Sequence, residues 1–186
     1  MFTGIVQAVG KIVRLNPLEI DCGTLDLAGV AVGDSIAVQG VCLTVTSISP
    51  RGFTADLSAE TLGVTTGLDR QDEVNLEKSL ALGDKLGGHL VTGHVDGVGE
   101  VLICSKGLLQ VRLPRELKRY IARKGSICVD GVSLTVNRVE DDRFEVNLIP
   151  HTLEITTLGR LAAGSKVNLE VDLIARYVDR MLSESR

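Results

Sequence analysis

The sequence contains one long motif twice. Residues 35–66 align without gaps on residues 126–157, at a constant shift of 91, and 14 of the 32 aligned positions are identical. Unrelated segments of that length share about two. At the centre of the match, Ser35-Ile36-Ala37-Val38-Gln39-Gly40-Val41-Cys42-Leu43-Thr44-Val45 meets Ser126-Ile127-Cys128-Val129-Asp130-Gly131-Val132-Ser133-Leu134-Thr135-Val136. With small offsets the correspondence extends outward. Thr3-Gly4 matches Thr92-Gly93, Gly10 matches Gly99, and Val74-Asn75-Leu76-Glu77 matches Val167-Asn168-Leu169-Glu170. Solenoids stack three or more short units, so a long unit present twice is a duplicated domain. The 186 residues therefore divide into two similar modules, 1–87 and 88–172, and a tail, 173–186, without a counterpart.

Each module reads as β structure. Residues 36–45 and 127–136 are β-branched and apolar, with Gly and Asp as punctuation. Residues 53–57, 74–76, 144–149 and 167–171 continue the pattern, and turn residues such as Pro50-Arg51-Gly52 and Ala163-Gly164 separate them. Short strands at this spacing predict a small closed barrel per module, which leaves no exposed sheet edge. Helix is the minority: residues 115–122 after Pro114, and single turns beginning at Thr61-Leu62 and Thr152-Leu153. In the tail, Leu173, Ile174, Tyr177, Val178, Met181 and Leu182 recur at helical spacing and form one apolar face. That face either packs on another subunit or caps its own barrel.

Composition narrows the function. Lys and Arg number 20 against 24 Asp and Glu, a net charge of −4, which does not suit phosphate neutralisation. Five aromatic residues (Tyr 2, Phe 3, no Trp) leave little for stacking single-stranded bases, so no nucleic-acid partner is expected. No apolar run approaches membrane-spanning length, and the first residues do not read as a secretory signal. Cys22, Cys42, Cys104 and Cys128 form no C-x-x-C pair and read as reduced thiols of a cytoplasmic protein.

The interior of a small barrel is filled by side chains, so ligands bind at its rim or outer wall. Two copies then predict two related sites, and the positions where the copies diverge are the informative ones. Cys42 stands opposite Ser133, Asp56 opposite Asn147, Glu60 opposite His151, and Ile5 opposite His94. Each also has a bland reading. A free Cys is usually a small buried apolar residue. Thr44 and Thr135 suit strands, His94 suits a solvated turn, and Asp172 a strand end. His89 and His94, with one other His in the chain and no nearby Cys, do not make a metal site.

These residues carry a resemblance. Met1-Phe2-Thr3-Gly4-Ile5-Val6 is similar to the start of the riboflavin synthase α-chain family. The stretch from Gly33 to Val45 resembles that family's first-barrel motif, and Gly87-Gly88-His89-Leu90-Val91-Thr92-Gly93-His94-Val95-Asp96-Gly97 its inter-barrel motif. Residues 130–136 and 148–153 resemble the second-barrel motifs, so the match spans nearly the whole chain in order. Gln39, Ser58-Ala59 and Gly63 depart from the usual Asn, Met-Pro and Arg, and the segment 16–32 is short for the family.

The resemblance implies an all-β fold of two six-stranded Greek-key barrels, with a C-terminal helix that gathers a homotrimer. It implies that two molecules of 6,7-dimethyl-8-ribityllumazine exchange a four-carbon unit, giving riboflavin and 5-amino-6-ribitylamino-uracil without a cofactor or metal. The site then lies between the first barrel of one subunit and the second of a neighbour. Cys42 is implied as nucleophile or water activator, His94 as proton-transfer group, Ser133 and Thr135 as orienting the donor ring, Asp172 as a further polar group, and Phe2 as a support. Gly4, Ile5, Val6, Leu43, Thr44, Asp56, Glu60 and Thr61 are expected around the first lumazine. Lys124, Asn147, Ile149, His151 and Thr152 are expected around the second, and Ser35, Gly93, Val95, Leu134 and Thr135 are expected to contact lumazine without assignment to either site. The resemblance leaves open an association with lumazine synthase. A rival within the same fold is a non-catalytic, antenna-type lumazine- or flavin-binding protein. Such proteins lose the histidine-rich joint, whereas His89, His94, Cys42 and Ser133 are all present here.

Overall fold

Alternating inward and outward residues curl each half into a barrel. The computed structural model describes residues 1–184. Its first half contains β1 (Ala8–Leu15), β2 (Leu18–Asp21), β3 (Ser35–Val38), β4 (Val41–Ser49), β5 (Gly52–Ala55), a short helix α1 (Ala59–Val64) and β6 (Glu73–Lys78). The strands close in the order β1-β2-β5-β4-β3-β6. Because β2 lies beside β5 rather than β3, the arrangement is a Greek key. In the second half come β7 (Gly97–Ser105), β8 (Leu108–Arg112), β9 (Ser126–Val129), β10 (Val132–Glu140), β11 (Arg143–Asn147), α2 (Pro150–Ile155) and β12 (Lys166–Val171). Turns of 3-10 helix at Arg115–Tyr120 and Thr157–Arg160 interrupt them. The second ring, β10-β11-β8-β7-β12-β9, is the first ring with every strand replaced by its counterpart.

The duplication extends to defects. Bulges between Val45 and Ser47 and between Val136 and Arg138 fall at equivalent points, and so do those between Ile12 and Arg14 and between Val101 and Ile103. Bulges bend and twist a strand, and a small barrel needs them to close. Phe53 and Phe144 sit at matching places in the two cores, both fully buried.

Each apolar run of residues 36–45 and 127–136 is a hairpin rather than one strand. Gln39 and Gly40 have φ of 50° and 80°, and Asp130 and Gly131 have 48° and 82°. Positive φ at both central residues marks the two-residue turn whose twist matches that of the flanking strands. The two turn tips press together. A Cβ on Gly40 would lie 2.6 Å from the Gly131 nitrogen, so the contact requires glycine. Reciprocal bonds flank it: Asn75 Nδ2 donates to the Asp130 carbonyl (2.8 Å) and Asn168 Nδ2 to the Gln39 carbonyl (2.9 Å). Phe2 and Val91 complete the junction by exchanging backbone bonds of 2.7 and 3.1 Å. The barrels are thus related by an approximate internal twofold passing through this junction.

The tail forms α3 (Leu173–Glu184); residues 185–186 of the expected tail lie outside the described residues. Asp172 Oδ1 accepts from the Ile174 nitrogen at its start (2.9 Å). Its polar side returns to its own barrel. Arg176 Nη2 donates to both Asp96 oxygens at 2.9 Å, while Asp179 accepts from the Tyr120 hydroxyl (3.1 Å) and pairs with Arg119. On its apolar side Ile174, Tyr177 and Leu182 are each more than 60% exposed. Among the described residues no helix is long and apolar enough to cross a membrane.

Candidate functional site

Strand alternation decides which side chains a ligand can reach. In β4, Leu43 and Val45 point into the first core, while Cys42 is half-buried and Thr44 exposed on the outer wall. In β10, Leu134 and Val136 point inward, and Ser133 and Thr135 occupy the matching outer positions. Leu43 and Leu134 were expected to line the lumazine sites. Their side chains are buried in the two cores.

The segments that precede the barrels cross over. Residues 2–6 lead into the first barrel but lie on the second: the Ser133 nitrogen donates to the Gly4 carbonyl (2.8 Å), and Val6 packs in the second core. Residues 91–95 do the converse. The Cys42 nitrogen donates to the Gly93 carbonyl (2.8 Å), and Val95 packs against the first core. Contact is close in both. A Cβ built on Gly4 would meet Ser133 Cβ at 2.6 Å, and one on Gly93 would meet Cys42 Cβ at 2.6 Å. Gly4, Ile5 and Val6, expected around the first lumazine, therefore lie against the second barrel. They belong to the wall that carries Ser133, whereas Gly93, His94 and Val95 border Cys42.

Two buried glutamates hold the crossing segments. Glu77 Oε1 accepts from the Thr3 nitrogen (2.7 Å) and hydroxyl (2.8 Å), and its Oε2 from the Gly4 nitrogen (3.0 Å). Glu170 does the same for Thr92 (2.7 and 2.7 Å) and Gly93 (2.9 Å). Burial pushes both carboxyl pKa values up, against the pull of these bonds. Phe2, expected as part of the catalytic group, is fully buried at the barrel junction, where it packs with Ala37, Val91 and Cys128.

The histidines divide differently from expectation. His94 is exposed beside Gly93, its backbone nitrogen donating to Thr92 Oγ1 (3.3 Å). His89, which was not among the expected site residues, lies 2.7 Å from Ser133 Oγ through Nδ1. Its backbone nitrogen donates to the Thr3 carbonyl (3.1 Å). Gly88 makes this approach possible, because a Cβ there would fall 2.1 Å from the Thr3 oxygen and 2.9 Å from Ser133 Oγ. Burial lowers the His89 pKa below its ordinary 6.5, and the charge of Asp172 opposes that shift. The ring is therefore neutral at physiological pH and able to exchange a proton with the serine. His89 Nε2 is buried without a partner. The pair Gly87-Gly88 ahead of His89 was the available signal, since adjacent glycines mark a close backbone approach.

The remaining expected residues surround these two centres. Ser35 pairs across the strands with Thr44. Asp56 and Glu60 are exposed and Thr61 half-buried at the start of α1, on the first barrel. Asn147, Ile149 and His151 are exposed and Thr152 half-buried on the second, around α2. Lys124, also exposed, has φ of 68° where the first barrel has Gly33 at 97°. A non-glycine residue in that region costs about 1 kcal/mol. Both faces are open to solvent. The clefts of about 380 Å³ between β1 and α2, and of about 210 Å³ beneath the Gln39 and Asp130 turns, lie away from Cys42 and Ser133.

Residues 3–79 and 92–172 each match the lumazine binding domain, so the chain belongs to the family defined by that duplicated domain. Curated relatives of the chain include riboflavin synthases. That of Photobacterium phosphoreum is 44% identical over 98% of this chain and 89% of its own length. That of Mycobacterium tuberculosis is 47% identical over 98% of both. Among solved structures, LumP complexed with 6,7-dimethyl-8-(1'-D-ribityl) lumazine superposes with a TM-score of 0.79 at 29% identity, covering 92% of this chain and 99% of that one. LumP complexed with riboflavin gives 0.81 at 32% with the same coverage.

Proposed function

We propose that this chain is a riboflavin synthase: it takes two molecules of 6,7-dimethyl-8-ribityllumazine and transfers a four-carbon unit from one to the other. The products are riboflavin and 5-amino-6-ribitylamino-uracil. The observation that carries this reading is the pair of unlike reactive centres, Cys42 and Ser133–His89, at equivalent points of two matching barrels. A protein that only holds one chromophore has no use for two different centres in one frame. The higher identity to synthases than to LumP agrees with it.

The C7 methyl of this lumazine is acidic because its anion is delocalised into the ring. The donor lumazine lies on the second barrel, where neutral His89 backs Ser133 and proton removal from that methyl is assisted. The acceptor lies on the first barrel, where Cys42 or a water it directs adds at C7, and His94 on the adjoining segment moves the compensating proton. Thr44 and Thr135 orient the rings from matching positions. Holding two rings face to face converts a bimolecular step into a local one, and this supplies much of the rate.

Both faces are open in one chain, so the working site forms where the first barrel of one copy meets the second barrel of another, in a cytoplasmic homotrimer. Residues 1–87 and 88–172 serve as the two lumazine-binding domains and 173–186 as the assembly tail, through the exposed side of α3. Purified protein supplied anaerobically with the lumazine alone should form riboflavin and the uracil in equal amounts. Tight lumazine binding without turnover would instead identify an antenna-type protein. Removing residues 174–186 should lower the sedimenting mass from trimer to monomer; an unchanged mass refutes the role given to the helix.

A further inference from the structure

Glu77 and Glu170 each stand in one barrel and hold a segment that lies on the other. Glu77 is in β6 of the first barrel, and the Thr3-Gly4 segment it holds carries the carbonyl bonded to Ser133 of the second. Glu170 is in β12 of the second barrel, and the Thr92-Gly93 segment it holds carries the carbonyl bonded to Cys42 of the first. We infer that the two glutamates are positioning residues wired crosswise, Glu77 setting the place of Ser133 and Glu170 that of Cys42. The inference rests on the reading of Cys42 and Ser133 as the reacting centres.

Geometry makes the linkage stiff. Each glutamate is almost fully buried and takes three donors on two oxygens. Each glycine touches its target so closely that even one added carbon would collide with Ser133 or Cys42 at 2.6 Å. A displaced glycine therefore moves the side chain it faces. Only a carboxylate fits the cradle. An amide offers one oxygen, and its NH2 would confront either the glycine N–H or the two threonine donors. Chain proximity does not account for the pattern, since Thr3 and Glu77 are 74 positions apart and Thr92 and Glu170 are 78 apart. The positions were invisible as site residues because neither glutamate faces the outer wall.

The test reads each centre separately and does not need turnover. Cys22 and Cys128 are buried, so in a Cys104→Ser background an aromatic disulfide reagent reports on Cys42. Burial also raises the thiol pKa of both, Cys22 to about 11. The NMR titration of His89 reports on Ser133, to which it is bonded. Glu170→Gln should change the Cys42 reaction rate about fivefold or more and leave the His89 midpoint in place, an effect expected of one lost charged hydrogen bond. Glu77→Gln should shift the His89 midpoint by about half a unit or more and leave Cys42 reactivity unchanged. Thr92→Val and Thr3→Val each remove the hydroxyl bond to the glutamate, together with the bond that hydroxyl accepts from the His94 or Ile5 nitrogen. They leave the two backbone bonds to each glutamate and should show the same crossed pattern more weakly, so they decide the matter if a glutamine variant does not fold. An uncrossed pattern, equal effects on both reporters, or no effect on either overturns the inference. A crossed pattern in a protein that makes no riboflavin would leave the inference standing and defeat the functional reading alone.

Discussion

The two barrels share a strand ring, a hairpin turn, two bulges and a glutamate cradle, yet differ in what covers the reactive position. Gly88-His89 closes over Ser133, whereas the Cys42 thiol makes no hydrogen bond among the described residues. The frame is therefore duplicated and the chemistry is not. One barrel presents a serine backed by a neutral imidazole, suited to removing a proton. The other presents an unbonded thiol, suited to adding to an electrophilic ring carbon. A reaction between two identical substrates needs this kind of inequality, since one molecule gives what the other receives.

The largest effects are expected where the shared frame is broken. Gly4→Ala and Gly93→Ala add a carbon 2.6 Å from Ser133 Cβ and Cys42 Cβ at φ of 74° and 79°. Strain and overpacking together cost about 3–5 kcal/mol in each, which lowers Tm by about 10 °C or more. Riboflavin formation should be lost in both, and calorimetry with an activity assay checks this. Equal damage supports the equivalence of the crossing segments. A well-tolerated Gly93→Ala would show that the first barrel does not use the contact.

The second effect separates the two turns. Gln39 Oε1 accepts from the Asn75 nitrogen (2.9 Å) and its Nε2 donates to Thr157 Oγ1 (3.2 Å). Asp130 Oδ1 accepts from the Asn168 nitrogen (2.7 Å), but its Oδ2 is buried without a partner. Burial raises the Asp130 pKa to about 7, against the bond from Asn168, the Gln39 side chain and the charge of Arg70. A carboxyl whose pKa rises on folding contributes stability that is complete below pH 3.8 and is lost as pH rises through about 7. Asp130→Asn should remove this slope and stabilise the protein at pH 8 by about 2–4 kcal/mol, and asparagine tolerates the positive φ of the turn. Urea unfolding at pH 5 and pH 8 checks it. An unchanged difference between the two pH values would show that Asp130 does not titrate in this range.

Third comes the unequal cover. His89→Asn should lower kcat/KM about 10–100-fold, the share of positioned proton transfer at its lower end. Because burial depresses the His89 pKa, the acid limb of the wild-type pH profile should fall below pH 6.5 and disappear in the variant. An acid limb that survives His89→Asn would move the base elsewhere, with His94 the next candidate.

Much of the architecture was legible because it was written twice. A single copy of residues 35–66 reads only as a β-rich stretch, whereas two copies fix the module, its length and the internal symmetry. Strands β1 and β7 escaped notice because Gly10 or Gly99 and a bulge shift the alternation partway along. The outer positions of Cys42, Thr44, Ser133 and Thr135 were recoverable from alternation, and the same alternation places Leu43 and Leu134 inside. The crossing of the segments was not recoverable. It depends on contacts such as Ser133 with Gly4 and Cys42 with Gly93, for which no local pattern exists. His89 and His94 stood side by side in one motif, and only the fold shows that the first, not the second, meets Ser133.

The smallest effect concerns how the two short helices begin. Ser58 Oγ accepts from the Thr61 nitrogen (3.0 Å) at the start of α1. At α2 the equivalent residue is Ile149, which gives no side-chain cap, and Pro150 takes the first helical position instead. These are two solutions to one problem, since helices this short do not repay their nucleation without help. The serine satisfies a free N–H, while the proline removes one and presets φ. No residue of α1 is buried, so losing the cap should free the helix locally without unfolding the barrel. Ser58→Ala should cost α1 about 1 kcal/mol. Amide exchange at Leu62, whose nitrogen donates to the Ser58 carbonyl (3.1 Å), should then quicken about fivefold while Tm barely moves. Installing the second barrel's solution, Ser58→Ile with Ala59→Pro, should restore the slower exchange. If the double variant exchanges as fast as Ser58→Ala, the two caps are not interchangeable, and α2 is held by contacts that α1 lacks.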